Sequence, residues 1–270
     1  MIEFSVFLAA IRPSKWWAFY ESLKEATSRE FELIFVGPYE LATELQNFPN
    51  VKCIQDYGCP TRCYQLGLLA STAPYIIFAA DDGLFLKTGA IDNAFKTLES
   101  LPSSRKNIVS FKYYEGEIID GGFISTPEHW IFGSHKLFRK LNIPRAYNLL
   151  MTGLINRDYL IELGGFDCQF DHLGLGCPDL AIRMQRDGAN VVMGDYLFHV
   201  TWWPGHMEDH GPIHDSHNEH ELPTFKRIYS NPDAQNRIKI DINNWRNVLA
   251  VWTRRFGNEI QGVDHPEFVR

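Results

Sequence analysis

The chain has 270 residues, 45% of them apolar and 22% charged, with a net charge of −7. At ~150 residues per domain this is under two units, and the length can bury a core without help from disulfides or metals. The balance excludes disordered and fibrous classes, and with no Lys/Arg run longer than two it argues against a phosphate-tracking nucleic-acid protein.

The five cysteines (Cys53, Cys59, Cys63, Cys168 and Cys177) are an odd number. They read as reduced thiols of a cytoplasmic protein, and Cys53, Cys59 and Cys63 lack the paired spacing of a zinc site. The longest uncharged stretch, Cys63 to Ala80, is divided by Pro74, so no membrane span is expected. Glu3 and the lack of a basic segment before the first apolar run argue against a secretory signal.

In chain order, Phe4 to Ile11 reads as a strand buried on both faces, followed by a helix capped by Ser14 and running to about Ala26. Phe31 to Val36 is a strand stopped by Gly37-Pro38, and Val51 to Gln55 is another. Thr61 to Ser71 is helical. Tyr75 to Ala80 is a strand that ends in Asp81-Asp82-Gly83. Ala90 to Leu98 is helix and Ile108 to Phe111 strand. This alternation predicts βαβ units and a parallel sheet.

The second half is less regular. Tyr113 to Trp130 reads as hairpin and loop, Leu149 to Ile155 as strand, and Arg157 to Leu163 as a helix closed by Gly164-Gly165. Asp179 to Arg186 is a short helix closed by Gly188, and Asn190 to Met193 a strand. From about Leu222 the tail is expected to be helical, with Trp245, Val248, Leu249 and Trp252 at helical spacing.

Three groups of residues could carry chemistry. Asp81-Asp82 follows a buried strand, at the carboxyl edge where open α/β sheets bind ligands. Adjacent carboxylates repel, and a hard divalent cation such as Mg²⁺ or Mn²⁺ resolves the repulsion. Asp-Asp-Gly is also good turn chemistry. Second, a glycine-rich stretch, Gly174 to Gly176, brings Asp179 to a helix start, where it could act chemically or serve only as a cap. Third, six of the ten histidines lie between His199 and His220. His206 to His210 lacks the metalloprotease spacing, and Gly205 with Gly211-Pro212 argues against a helix there. His199 ends an apolar run that would point it into the fold. The others read as a solvated loop, in which Trp202-Trp203 could stack on a sugar ring.

In this order the three groups resemble family 2 glycosyltransferases of the GT-A fold, over about residues 3 to 200. Ala80-Asp81-Asp82 matches the family's Asp-x-Asp motif in degenerate form. Thr61-Arg62-Cys63-Tyr64-Gln65-Leu66-Gly67, followed by Ala73, is similar to its helix between the third and fourth strands. Gly164-Gly165-Phe166-Asp167, with Asp179-Leu180 and Arg183, resembles its acceptor-side motif. The chain departs from the family at Gly37-Pro38, where a base-contacting Asp is usual, and at Ala80. It departs also at the catalytic Glu-Asp pair, where one alignment puts Cys177 at the base position.

The resemblance implies a mixed, mostly parallel Rossmann-like α/β sheet flanked by helices, with a helical C-terminal tail. Residues 1–220 would form the catalytic domain, split at about 112 into nucleotide-binding and acceptor halves, and 221–270 a helical extension. The implied activity is inverting hexosyl transfer from a nucleotide-diphosphate sugar, with a UDP-sugar the expected donor. The acceptor would be a glycan or lipid-linked hydroxyl, in polysaccharide or glycoconjugate synthesis, and peripheral membrane association would fit it. Mn²⁺ or Mg²⁺ would be held by Asp82 and His199, with His206 the other candidate histidine. Asp81 would contact sugar or ribose, and Arg12, Asp56 and Arg62 the nucleotide. Asp179 would be the base, with Asp171 in reserve, and Thr201 to Leu222 would close over the donor. Two rivals stand beside this reading. A sugar nucleotidyltransferase would want a glycine-rich phosphate loop, and Arg12-Pro13-Ser14-Lys15 has no glycine. A non-catalytic nucleotide- or glycan-binding module would account for the altered Glu-Asp pair.

Overall fold

The structure, a computed structural model, describes residues 1–116, 118–119, 123–124, 147–171, 173–201, 206–231, 233, 236–248 and 262–270. The first half follows the expected order of strands and helices, with one strand, β5, that the sequence did not announce: β1 (Phe4–Ala9), α1 (Pro13–Ala26), β2 (Phe31–Gly37), β3 (Val51–Gln55), α2 (Pro60–Ala70), β4 (Tyr75–Ala80), β5 (Gly83–Phe85), α3 (Ala90–Ser100) and β6 (Asn107–Gly116). Ser14 is not the cap of α1. The helix starts at Pro13, where a missing N–H costs nothing, and Arg12 precedes it without a side-chain cap.

The second half contains β7 (Ile118–Ile119), β8 (Phe123–Ile124), β9 (Gly153–Asn156), α4 (Arg157–Glu162), α5 (Leu173–Arg186), β10 (Asn190–Thr201), α6 (His206–Ser216) and α7 (Leu222–Tyr229). β6 runs on to Gly116 and so takes in the start of the stretch expected as hairpin and loop; β7 and β8 pair antiparallel within it, and residues 117, 120–122 and 125–130 lie outside the described residues. Two helices depart from expectation. α5 begins at Leu173, so Asp179 sits inside the helix and not at its start. α6 forms despite Gly211 and Pro212, and runs into a π-helical turn, His217–Glu221. Tertiary packing overrides these weak local penalties. At Gly176, in the first turns of α5, an added Cβ would lie 3.4 Å from Thr61 Oγ1 of α2, so the two helices meet closely there.

Eight strands form one sheet in the order β3-β2-β1-β4-β9-β6-β10-β5. The pairs on the β3 side, up to β1-β4, are parallel, as is β6-β10. β9 is antiparallel to both its neighbours, and β5 to β10. Both faces are buried, which explains the unbroken apolar run of the first strand. Phe4, Val6 and Leu8 pack with Trp16, Phe19 and Leu23 of α1 and with Phe95 of α3. Phe7 faces the other way, into Leu66 and Leu69 of α2 and Leu180 and Met184 of α5. At the sheet edge, a Cβ on Gly37 would lie 1.8 Å from the Ala10 carbonyl oxygen. That close approach requires glycine where the resembled family places an acid.

Beyond α7, residues 237–243 carry no helix or strand, and 3₁₀ turns follow at Asn244–Val248 and Pro266–Phe268. Leu249 and Trp252 lie outside the described residues. The tail is strapped to the body. Ile240 N–H donates to the Leu163 carbonyl at 3.1 Å, and Gln65 donates to the Ile242 carbonyl at 2.8 Å. Gly164 lies under this strap at φ +88°, where a Cβ would meet the Ile240 oxygen at 2.1 Å. No described helix is long and apolar enough to cross a membrane.

Candidate functional site

The carboxyl ends of β1 and β4 are paired residue for residue, and that register brings the first constellation together. Asp81 is fully buried. Its Oδ2 accepts from the backbone N–H of Ile11 (2.7 Å) and Arg12 (2.6 Å) and from Trp16 Nε1 (3.2 Å). Its Oδ1 accepts from Arg12 Nη1 at 2.6 Å. Asp81 thus ties the end of β4 to the turn before α1. Asp82 turns elsewhere: Arg12 Nη1 is 3.8 Å away, and His210 Nε2 of α6 is 3.9 Å away on the other side.

His210 was not singled out in the sequence, because Gly211-Pro212 hid the helix that carries it. The available signal was the four-residue spacing of His206, His210 and His214, which suits one helix face. His199 is fully buried on β10, opposite Leu84 of β5, two residues beyond Asp82. Neither of its ring nitrogens finds a hydrogen-bond partner among the described residues. Burial lowers its pKa. Burial outweighs the backbone of Gly116, which would raise it, so the imidazole is held neutral and able to ligate. The side chain of His206 lies outside the described residues.

Asp56 and Arg62 meet each other 2.8 Å apart, both buried, where β3 ends and α2 begins, and there the C-terminal strap engages them. Arg62 donates to the backbone carbonyls of Trp245, Val248 and Val263, and His265 Nε2 lies 3.1 Å from Asp56. Burial alone would raise the Asp56 pKa, but His265 and Arg62 hold it below the usual carboxylate value. Sequence offers no local sign of Trp245 or His265 here, since their partners are some two hundred residues away.

Asp179 is fully buried in a third cluster. Arg183 Nε donates to it at 2.8 Å, one helical turn on, and the Tyr229 hydroxyl donates at 2.7 Å. Arg237, from the strap, pairs with both Asp179 and Asp167. Against the upward pull of burial, the two guanidiniums hold Asp179 below its usual pKa. A carboxylate so held is strongly stabilised as an anion and accepts a proton poorly. Cys177, two residues before it in α5, is buried, with its thiol pushed up by burial. A thiol protonated in this way is no nucleophile.

Asp171 lies in the loop before α5. Its backbone carbonyl accepts from Thr61 N–H at the start of α2. Its carboxylate accepts from Ser216 Oγ at 2.7 Å, and His220 Nε2 stands 3.8 Å off. α6 and its π-helical continuation therefore touch Asp82 through His210 and Asp171 through Ser216. These contacts are ~9 Å apart along the helix axis at 1.5 Å per residue.

No group of three or more His, Cys, Asp or Glu side chains that could hold a metal occurs among the described residues. The donor set at the edge is partial: the Asp82 oxygen and the His210 nitrogen, with His199 unpartnered nearby in the sheet. Oxygen with imidazole nitrogen suits Mn²⁺, and the orphaned nitrogens of His199 leave capacity for a ligand.

No protein-family model matches the sequence, and no curated protein matches it. Among solved structures the chain is similar to S. aureus TarS, with a TM-score of 0.54 and 13% identity over 94% of this chain and 49% of that one. It is similar also to S. aureus TarS 1-349 in complex with UDP, with a TM-score of 0.52 and 14% identity over 85% and 70% of the two chains. A Drosophila β-1,4-galactosyltransferase 7 in complex with manganese, UDP-Gal and xylobiose reaches a TM-score of only 0.42 at 11% identity, over 72% of this chain and 65% of that one, too distant to argue from. The chain spans about half the length of the first of these structures. At such identities the likeness shows the fold alone, a mixed α/β sheet of the GT-A type.

Proposed function

We propose that the chain is a nucleotide-sugar glycosyltransferase of the inverting type, using a UDP-sugar and a glycan or lipid-linked hydroxyl acceptor. The observation that carries the reading is the edge where Arg12, Asp81, Asp82 and His210 converge at the carboxyl ends of β1 and β4, the side on which open α/β sheets bind nucleotides. The UDP bound by TarS 1-349, on a similar fold, agrees with it.

In this reading the roles divide by geometry. Asp81 fixes the β1 turn and orients the Arg12 guanidinium, which is placed to meet donor phosphates. Asp82, with His199 or His210, would hold Mn²⁺ or Mg²⁺, which when bound neutralises charge on the leaving diphosphate. α6 covers Asp82 and excludes water from the donor, replacing the closing loop expected over Thr201 to Leu222 with a helix. Asp56 and Arg62, as nucleotide contacts, would have to act from beneath the strap that now engages them. Family 2 membership, polysaccharide synthesis, a cytoplasmic location and the division at about residues 112 and 220 belong to the same proposal.

Thermal shift with UDP, GDP, dTDP and CMP, with and without Mn²⁺, on wild type and Asp82→Asn tests it. A ligand at ~100 times its Kd adds about 2.7 kcal/mol, a rise of several degrees. The expected result is a Mn²⁺-dependent rise with UDP that Asp82→Asn abolishes. No rise with any nucleotide would end the reading. A second reading, a binding module without turnover, is favoured by the sealed state of Asp179. It predicts the same shift with no sugar transfer.

A further inference from the structure

We infer that the carboxylate which takes the proton from the attacking hydroxyl is Asp171, and that Asp179 is a structural anion. This rests on the transferase reading and names its base. Three observations carry it. First, Asp179 is fully buried, with Arg183, Arg237 and Tyr229 donating to it, and Arg237 bridges it to Asp167. To act as a base it would have to shed a guanidinium and reach an acceptor through the side chains that cover it. Second, Asp171, itself buried, lies in the loop before α5, outside the helix that carries Asp179. Its backbone holds the first turn of α2, which follows β3, so it belongs to the same carboxyl edge as Asp82. Third, α6 and the π-helical turn link the two. Ser216 Oγ, 2.7 Å from Asp171 Oδ2, fixes that carboxylate, and His220 faces Oδ1 at 3.8 Å. π-helical turns often mark functional sites in helices, and this one carries His220.

Among the groups facing Asp171 are Ser216 and His220 on the covering segment, and the backbone of Thr61 on α2. Cys59, on the same side, is buried, with its thiol pushed up to about 12 by burial and by the charge of Asp171, so it does not compete as a base. In the step, the acceptor O–H gives its proton to the Asp171 carboxylate and its oxygen bonds to the anomeric carbon. The bond from that carbon to the diphosphate oxygen breaks, and the electron pair leaves on the nucleoside diphosphate. No oxidant or further reactant is needed.

The test compares wild type with Asp171→Asn, Asp171→Glu and Asp179→Asn. UDP release is measured from UDP-glucose, UDP-galactose and UDP-N-acetylglucosamine with water as acceptor, and again with azide, which attacks without giving up a proton. General-base catalysis contributes ~10²–10⁴-fold. Asp171→Asn should lose that factor with water, keep the wild-type melting rise on UDP, and recover release with azide. Its pH–rate profile should lose the acid limb, while Asp171→Glu keeps part of both. Asp179→Asn should melt lower, yet lose less than tenfold per folded molecule. The assignment is overturned if Asp171→Asn releases UDP at the wild-type rate while Asp179→Asn, at a wild-type melting midpoint, releases none and regains release with azide. Binding of UDP by wild type with no release from any donor, in water or azide, overturns the assignment but not nucleotide binding. Absence of any melting rise removes the transferase reading and the assignment together.

Discussion

Two acidic clusters lie in this molecule, and they are built on opposite terms. Around Asp179 every donor is spoken for: two arginines and a tyrosine hold two carboxylates that face nothing outside the protein. Around Asp82, Arg12 and His210 each stand nearly 4 Å away, and His199 is buried on β10 of the same sheet. A fold gains most from a buried charge that is fully paired, since removing one partner strands the other. A binding site needs the reverse, groups held close by the scaffold but left with capacity for a ligand. The difference teaches where to look for chemistry here: at Asp82 and Asp171, joined by α6, and not in the better-connected cluster.

The largest expected effect breaks the closed cluster. Asp179→Ala leaves Arg183 and Arg237 without their shared anion in a buried place. It should cost about 3–5 kcal/mol, a fall in melting temperature on the order of 10 °C. Calorimetry checks it, and a fall of only a degree or two would show that the cluster is not the clasp described. Next comes the strap that supplies Arg237. Gly164→Ala forces a left-handed residue and drives a methyl into the Ile240 carbonyl, at an expected cost of about 2–3 kcal/mol. Limited proteolysis should then cut between α7 and the 3₁₀ turn at Asn244–Val248 sooner than in wild type. If the cleavage rate is unchanged, Ile240 is not what pins the strap.

A smaller effect concerns pH. The Asp56 pKa is held below its unfolded value by His265 and Arg62, against burial. Its stabilisation is therefore complete above the unfolded carboxylate value of about 3.9 and is lost as pH falls through the folded value. Melting temperature should drop between about pH 5 and pH 3. Asp56→Asn should melt lower at pH 7 but lose less over that window. Glu32 and Asp179, shifted the same way, keep part of the wild-type slope. Identical slopes in the two proteins would remove Asp56 from the account.

The same contrast explains what could be read before the structure. Strand and helix order through Phe111, β5 apart, was legible because local pattern decides it: Phe4 to Ala9 is largely apolar on both faces, and Thr61 to Ser71 follows a proline well suited to a first helical position. The Asp81-Asp82 edge was legible because a carboxylate pair at a strand end needs no distant partner to be noticed. Asp56 and Arg62 were read as nucleotide contacts and Asp179 as the base, but their partners His265, Trp245 and Arg237 arrive from the tail, 58 to 209 residues away, and no short-range spacing announces such contacts. α6 was missed for a different reason. Gly211 and Pro212 carry a real local penalty, and only contacts made by His210, Ser216 and His220 with the body outweigh it.

The smallest expected effect on folding is the most informative. Asp82→Asn removes one of two adjacent carboxylates that share a single arginine. Asp81 already binds that arginine at 2.6 Å, while Asp82 stands 3.8 Å from it. The substitution relieves like-charge repulsion against Asp81 and weakens the attraction of Arg12 and His210 at nearly 4 Å, so without ligand the stability should stay within about 0.5 kcal/mol of wild type or rise slightly. Sites kept for function commonly cost stability in this way. Equilibrium urea unfolding of the two proteins without nucleotide or metal measures the difference. A loss of several kcal/mol would make Asp82 a clasp like Asp179, and the open edge would then have been misread. Unchanged stability together with a lost response to UDP and Mn²⁺ would separate the two clusters by the only criterion that matters, what each carboxylate is held for.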